Sequence, residues 1–170
     1  MSVEPRLTER WNNLPAGARV ALEEQWRGVA AVGLPCGAAV VDERERVVAA
    51  GRNHCYDPVG PIETRLQYSL QQTRLAHAEL NALARVPTNA DHGRLTVWLT
   101  QHPCAMCAAA IAFVGVGSVR AIADDPSDDS PPAAIAATHG GVEYVALGDP
   151  FWWTVSNALF LLRLGGPVRP

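Results

Sequence analysis

HAELNAL, residues 77–83, and PCAMCAAAI, residues 103–111, stand on either side of the apolar, β-branched run RLTVWLT, residues 94–100. The middle run reads as a buried strand. The outer two read as helix starts. Pro103 suits a first helical turn, where its missing N–H costs nothing, and the helix it opens should run to Gly115 or Gly117. The earlier segment predicts a helix over 76–84, ended near Pro87 and the turn residues 89–93. Helix, strand, helix is the pattern on which the flanking chain builds.

Upstream, Ala18, Leu22, Trp26 and Val29 recur at helical spacing, so an amphipathic helix is expected over 16–32, stopped by Gly33, Leu34 and Pro35. CGAAVVDERERVVAAGRN then reads as a hairpin, with strands near 37–41 and 47–51 and a charged turn at 42–46. Pro58, Gly60 and Pro61 mark a loop from Asn53 to about Ile62, and a helical pattern resumes from about Glu63. Downstream, SVRAIA (118–123) and VEYVALG (142–148) are two more strands, with a short helix expected over 130–141 and a last helix over 150–164. The connection between these two strands is helical in character and long enough for a crossover, so they should run parallel. The order predicts an α/β fold, a three-layer α/β/α sandwich on a five-stranded mixed sheet. No repeat or linker divides the chain, and one domain over 1–170 is expected.

The chemistry lies at the two helix starts. Cys104 and Cys107 are three apart, so a helix places both sulfurs on one side. In a first turn they feel the positive end of the helix dipole, which favours thiolates. With His77 they make one imidazole and two thiolates, a zinc set that leaves the fourth position open, as catalytic sites do. His77 and Glu79 are two apart and do not share a face within a regular helix. To serve one site, His77 must stand at the very start of its helix, where the chain is still turning. Glu79 would then lie near the metal without binding it, placed to take a proton from water and pass it to a substrate.

Plainer readings compete. A Cys-x-x-Cys pair can be a redox couple, which predicts a thioredoxin-like strand before it and gives His77 and Glu79 no role. A closed structural zinc site needs a fourth ligand, and His102, His54, Cys36 and Cys55 are the candidates.

HAELNAL with PCAMCAAAI resembles the zinc-dependent cytidine-deaminase superfamily, whose signature pairs H-x-E with P-C-x-x-C. The likeness covers about 37–126 and weakens at both ends. Within the superfamily, PCxMCxxAI is more similar to the branch holding tRNA adenosine deaminases, guanine deaminases and fungal cytosine deaminases than to free cytidine deaminases. The resemblance implies one zinc per chain on His77, Cys104 and Cys107, with Glu79 as proton shuttle. It also implies a substrate contact for Asn53, which could equally be a turn residue. Ala78, inside the motif, is carried as a further substrate-contacting position. Asp124 and Asp125, at the end of the fourth strand, could meet an exocyclic amine or ring N–H or simply cap the strand. Trp152, beside Trp153, could be an aromatic lid over a flat base, or core or dimer contact. Three departures stand out. His102 occupies a position that is often Glu in purine-acting relatives. The 53–77 segment is longer than in bacterial tRNA adenosine deaminases. The last helix lacks their basic, Phe-rich character.

Composition bounds the partners. The chain of 170 residues has net charge −3, and all 14 of its basic residues are arginine, with no basic run. That weighs against nucleic acid as a partner and for a small-molecule substrate. The apolar 151–164 segment is too short and too interrupted to span a bilayer; no secretory signal opens the chain, and a cytoplasmic enzyme is expected. The same segment is too apolar to be solvated on every side, so a homodimer is expected. Three functions stay open: hydrolytic deamination of a small nucleobase, nucleoside, nucleotide or related heterocycle; editing of tRNA adenosine; and a silent deaminase-like subunit, against which Glu79 speaks.

Overall fold

A computed structural model describes residues 4–57, 70–126 and 142–164. The helical pattern expected from about residue 63 and the short helix expected over 130–141 lie outside the described residues. The hairpin is formed by β1 (Gly37–Val41) and β2 (Val47–Arg52), antiparallel, with Gly37 opposite Arg52 and an irregularity between Val40 and Val41. Asp42 closes its charged turn by accepting hydrogen bonds from the backbone N–H groups of Arg44 and Arg46. The other edge of β1 pairs antiparallel with β3 (Thr96–Gln101), which pairs parallel with β4 (Ser118–Ala123). Strand β5 (Glu143–Ala146) pairs parallel with β4, completing a five-stranded mixed sheet in the order β2-β1-β3-β4-β5. The parallel last pair follows from the long connection, since only a crossover returns the chain to the same end.

Alternation along the central strands sends side chains to two separate cores. Ala38, Val40, Val97 and Leu99 face α3 (Ala78–Leu83) and α4 (Ala105–Val114), meeting Ala78, Ala82 and Ile111. Ala39, Val41, Trp98 and Ile122 face α2 (Ala16–Ala30) and α5 (Pro150–Leu164), meeting Ala18, Leu22 and Trp152. These are the three layers expected. A helix α1 (Glu4–Asn12), which the periodicity does not announce, precedes α2. Among the described residues no helix is long and apolar enough to cross a membrane.

The buried stripe of α2 differs from the expected one. Ala18 and Leu22 are inside, but Trp26 is 61% exposed, and Gln25 is buried in its place. The reason is a polar junction between layers. The Gln25 side-chain amide donates to the carbonyls of Pro35 and Ser156, and the Ser156 hydroxyl, 3.2 Å from the Gln25 side-chain oxygen, donates to the Thr100 carbonyl at 2.9 Å. Gln101 donates in turn to the Ser156 hydroxyl and accepts from Thr100. A buried network in which each member finds partners fixes α2, β3 and α5 in one register.

Candidate metal centre and active site

The two motif helices start side by side at the ends of the central strands. His77 is the N-cap of α3 with extended backbone (φ −67, ψ 155), and Cys104 is the N-cap of α4 (φ −65, ψ 167). An extended residue just before a helix points its side chain away from the helical faces. This is how His77 and Glu79, two apart, reach the same place. Cys107 lies one turn into α4 and is fully buried. His77 Nδ1 is 3.7 Å from Cys104 Sγ and 3.5 Å from Cys107 Sγ. Zinc bonds of about 2.3 Å to sulfur and about 2.0–2.1 Å to nitrogen, meeting tetrahedrally, would set sulfur and nitrogen about 3.6 Å apart. The three donors therefore fit a zinc ion. Among the described residues they form one group with no fourth His, Cys, Asp or Glu ligand in it.

The electrostatics agree with a cation-binding set. Cys104 is held down to about 4 by its hydrogen bond with Cys107, against burial and with help from His77. Cys107 is pushed up by the same shared proton and by burial. Hydrogen bonding to Cys104, then to Cys55, lifts His77 to about 10 against the cost of burial. Donors that share protons so closely release them when a dication takes their place.

Glu79, in the first turn of α3, is 8% exposed, and burial raises its carboxyl above the ordinary range. A carboxyl at this place can take up a proton and return it. His77, Ala78, Glu79 and Cys104 all line one cavity of about 870 Å³, together with Asn53. Asn53 is 2% exposed; its side-chain oxygen accepts the Cys55 backbone N–H, which makes the turn, and the residue still faces the cavity. Turn residue and cavity wall are one role here.

Two sequence candidates lie elsewhere. Trp152 is 5% exposed in the core, edge-on to Trp11 at 5.6 Å and to Phe151 at 4.9 Å, and does not line the cavity. Its place on α5 turns it toward α1 and α2, so it packs and does not cover a base. Asp124 is exposed and accepts a hydrogen bond from Trp153 Nε1 at 3.3 Å; the next residue, Asp125, lines the cavity. Alternation past the strand end separates the two aspartates, Asp125 toward the cavity and Asp124 toward Trp153. His102 is buried against Tyr144, with ring centroids 5.0 Å apart, and lines the cavity. Cys36 and Cys55 also line it. Burial, then the nearby Glu79 carboxylate, pushes the Cys36 thiol up. Thr100, Tyr56 and Arg74 complete walls that the motifs did not point to. Only the turn signals around 53–62 and the strand end at 100–101 hinted at them.

Comparison with known proteins agrees with this fold. No curated protein matches the chain. A guanine deaminase structure from Nitrosomonas europaea aligns with TM-score 0.63 and 22% identity over 92% of this chain and 91% of that one. A tRNA:A34 deaminase structure aligns with TM-score 0.57 and 22% identity over 75% of this chain and 93% of that one. The diaminohydroxyphosphoribosylaminopyrimidine deaminase/reductase of Thermotoga maritima aligns with TM-score 0.59 and 22% identity over 84% of this chain and 38% of that one. At such identities the likeness speaks to the fold. The family model described as MafB19-like deaminase matches residues 17–142, spanning both motif helices and the strands between and around them, and the chain belongs to that family.

Proposed function

We propose that this deaminase is a zinc-dependent hydrolase that removes the amine from a small nucleobase, nucleoside, nucleotide or related aminated heterocycle and releases ammonia. The observation that carries the reading is the convergence of Cys104 and Cys107 on His77, at 3.5–3.7 Å, beside a cavity that His77, Cys104 and a buried Glu79 line. A zinc ion held by the three donors would act as a Lewis acid that makes hydroxide available from water at neutral pH. The protein's own part is proton traffic and positioning. Glu79 takes the proton released from water and passes it to the ring nitrogen beside the reacting carbon. It then takes the second proton and hands it to the amine, which leaves as ammonia while the new carbonyl keeps the water's oxygen. Asn53 and Ala78 border the ring, and burial of Glu79 keeps bulk water from competing for these protons. The chain's net charge of −3 and lack of lysine support a small substrate over tRNA.

Glu79→Gln should keep fold and zinc and lose turnover by about 10² to 10⁴. Cys104→Ala and Cys107→Ala should each lose the metal on metal analysis. An ammonia-release screen across bases, nucleosides and nucleotides, beside a tRNA bearing adenosine at the wobble position, tests the reading. Inosine in the tRNA with no ammonia from any small molecule would overturn it, as would full zinc retention in both cysteine variants.

A further inference from the structure

The cavity is larger than a base needs, and its rim suggests what the rest of it accepts. At about 870 Å³ it lies near the upper end of the roughly 300–1,000 Å³ that enclose drug-sized ligands, of which a bare base is only a fragment. Asn53 and Glu79, 2% and 8% exposed, are its floor, and Val32 and Tyr56, 62% and 72% exposed, belong to its mouth with the exposed Arg74.

This mouth is built from two segments locked together. The His54 backbone N–H donates to the Ala76 carbonyl at 2.8 Å, and the Gln72 N–H donates to the His54 carbonyl at 3.2 Å. Arg52 grips both Asp57 oxygens, at 2.8 and 2.7 Å, so the turn that carries Tyr56 is closed on itself. Val32 and Gln72 hold φ of 62° and 61°, a left-handed backbone that side chains rarely adopt and that surrounding structure must impose.

The charges at this mouth are unequal. Arg52, behind the turn that carries Tyr56, spends its guanidinium on Asp57 and the Asn53 carbonyl. Arg74 has no hydrogen-bond or ion-pair partner among the described residues. It stands on the β2 side, where α3 packs, while the acid Asp125 follows β4 across the sheet. An anionic group on the ligand is therefore drawn to the β2 side of the mouth, beside the exposed ring of Tyr56.

We propose that the substrate is a nucleoside monophosphate, its base against Glu79, its sugar along Tyr56 and its phosphate on the Arg74 guanidinium, whose fork suits a phosphate. The proposal rests on the deaminase reading and narrows its substrate class. Among the described residues lining the cavity, Arg74 is the one arginine, and one phosphate contact favours a mononucleotide over a polymer, whose grip needs several.

The experiment takes the intact zinc-loaded protein and matched sets of base, nucleoside and 5′-monophosphate for cytosine, adenine and guanine, with a short single-stranded DNA beside them. We expect one monophosphate to show a KM at least about tenfold below its nucleoside. Arg74→Ala should raise that KM about tenfold, a much larger change than it makes to the nucleoside's KM, and Arg74→Lys should recover part of the loss. Calorimetric binding of the monophosphates to Glu79→Gln, alone and combined with Arg74→Ala, reads the rim without turnover; we expect about a tenfold weakening that high salt reproduces. Equal KM for nucleoside and monophosphate, an unchanged Arg74→Ala, or turnover of DNA without turnover of any mononucleotide would each overturn the proposal, as would absence of monophosphate binding. Monophosphates that bind through Arg74 yet release no ammonia would instead refute the deaminase reading and leave the phosphate rim standing.

Discussion

At the scale of single residues, the site works because short-range polarity is satisfied around a few groups left for chemistry. Asp57 illustrates the supporting part. Burial raises its carboxyl, but hydrogen bonds from Arg52 and His54 outweigh burial and hold it below its ordinary 3.8. A depressed carboxyl contributes stability that is fully present above the ordinary value and is lost as the pH falls through the lowered one. Stability measured by denaturant from about pH 6 down to about pH 2 should therefore fall more steeply in the wild type than in Asp57→Asn. Parallel curves would show that the Arg52–Asp57–His54 cluster adds nothing to the folded state. At neutral pH the variant should also loosen the turn carrying Tyr56, since two donors lose their charged acceptor.

At the scale of elements, the position of α3 governs the site, because it brings both His77 and Glu79. Gly51 on β2 lets it come close: a Cβ there would lie 2.6 Å from the Ala82 nitrogen and 2.9 Å from the Ala78 carbonyl oxygen. Both atoms belong to the α3 backbone, so the helix itself must move. Gly51→Ala should destabilise the fold by about 1–3 kcal/mol and weaken metal retention, read by chemical denaturation and metal analysis. Normal stability with full zinc would mean that the close approach does not matter. The other motif helix ends at Gly115, whose φ of 80 terminates α4 in the left-handed conformation that favours glycine. The α4 N-terminus is likewise bounded, by Pro103 and the Cys104 N-cap. Both motif helices are thus set at their cysteine and histidine ends, where the chemistry is.

At the scale of the whole molecule, zinc would join α3 to α4 at the edge of one core, while the Gln25–Gln101–Ser156 network joins the layers at the other. Because a metal that binds only the folded state stabilises it by mass action, stripping the metal should lower Tm. Thermal melts before and after chelation check this, and an unchanged Tm would argue against a resident metal. The surface bears on assembly. Phe113 on α4 is 93% exposed, and Leu161 and Leu162 on α5 are 47% and 54% exposed. Covering such side chains favours self-association, and we expect at least a dimer by light scattering at micromolar concentration; a monomer there would contradict it.

The sequence by itself determined most of the described elements and the three donors that the structure groups together. Strands over 37–41 and 118–123 are legible because short, largely apolar runs fit a sheet covered on both faces, and the His77, Cys104 and Cys107 donors because helix starts place residues predictably. The geometric demand on His77 could be deduced from residue spacing alone, and the extended N-cap meets it. Local signals also left real errors. Trp26 fits the helical period of α2, yet Gln25 takes the inside position because its amide finds partners on β3 and α5. Trp152 and Asp124 were plausible near a ligand by type, but helix rotation and strand alternation point them elsewhere. Only the tertiary structure decided what else shares the cavity with Glu79 and Asn53. Val32, Tyr56, Arg74, Thr100 and Phe160 come from five separate segments, and no periodicity encodes a meeting that depends on how layers and loops close in three dimensions.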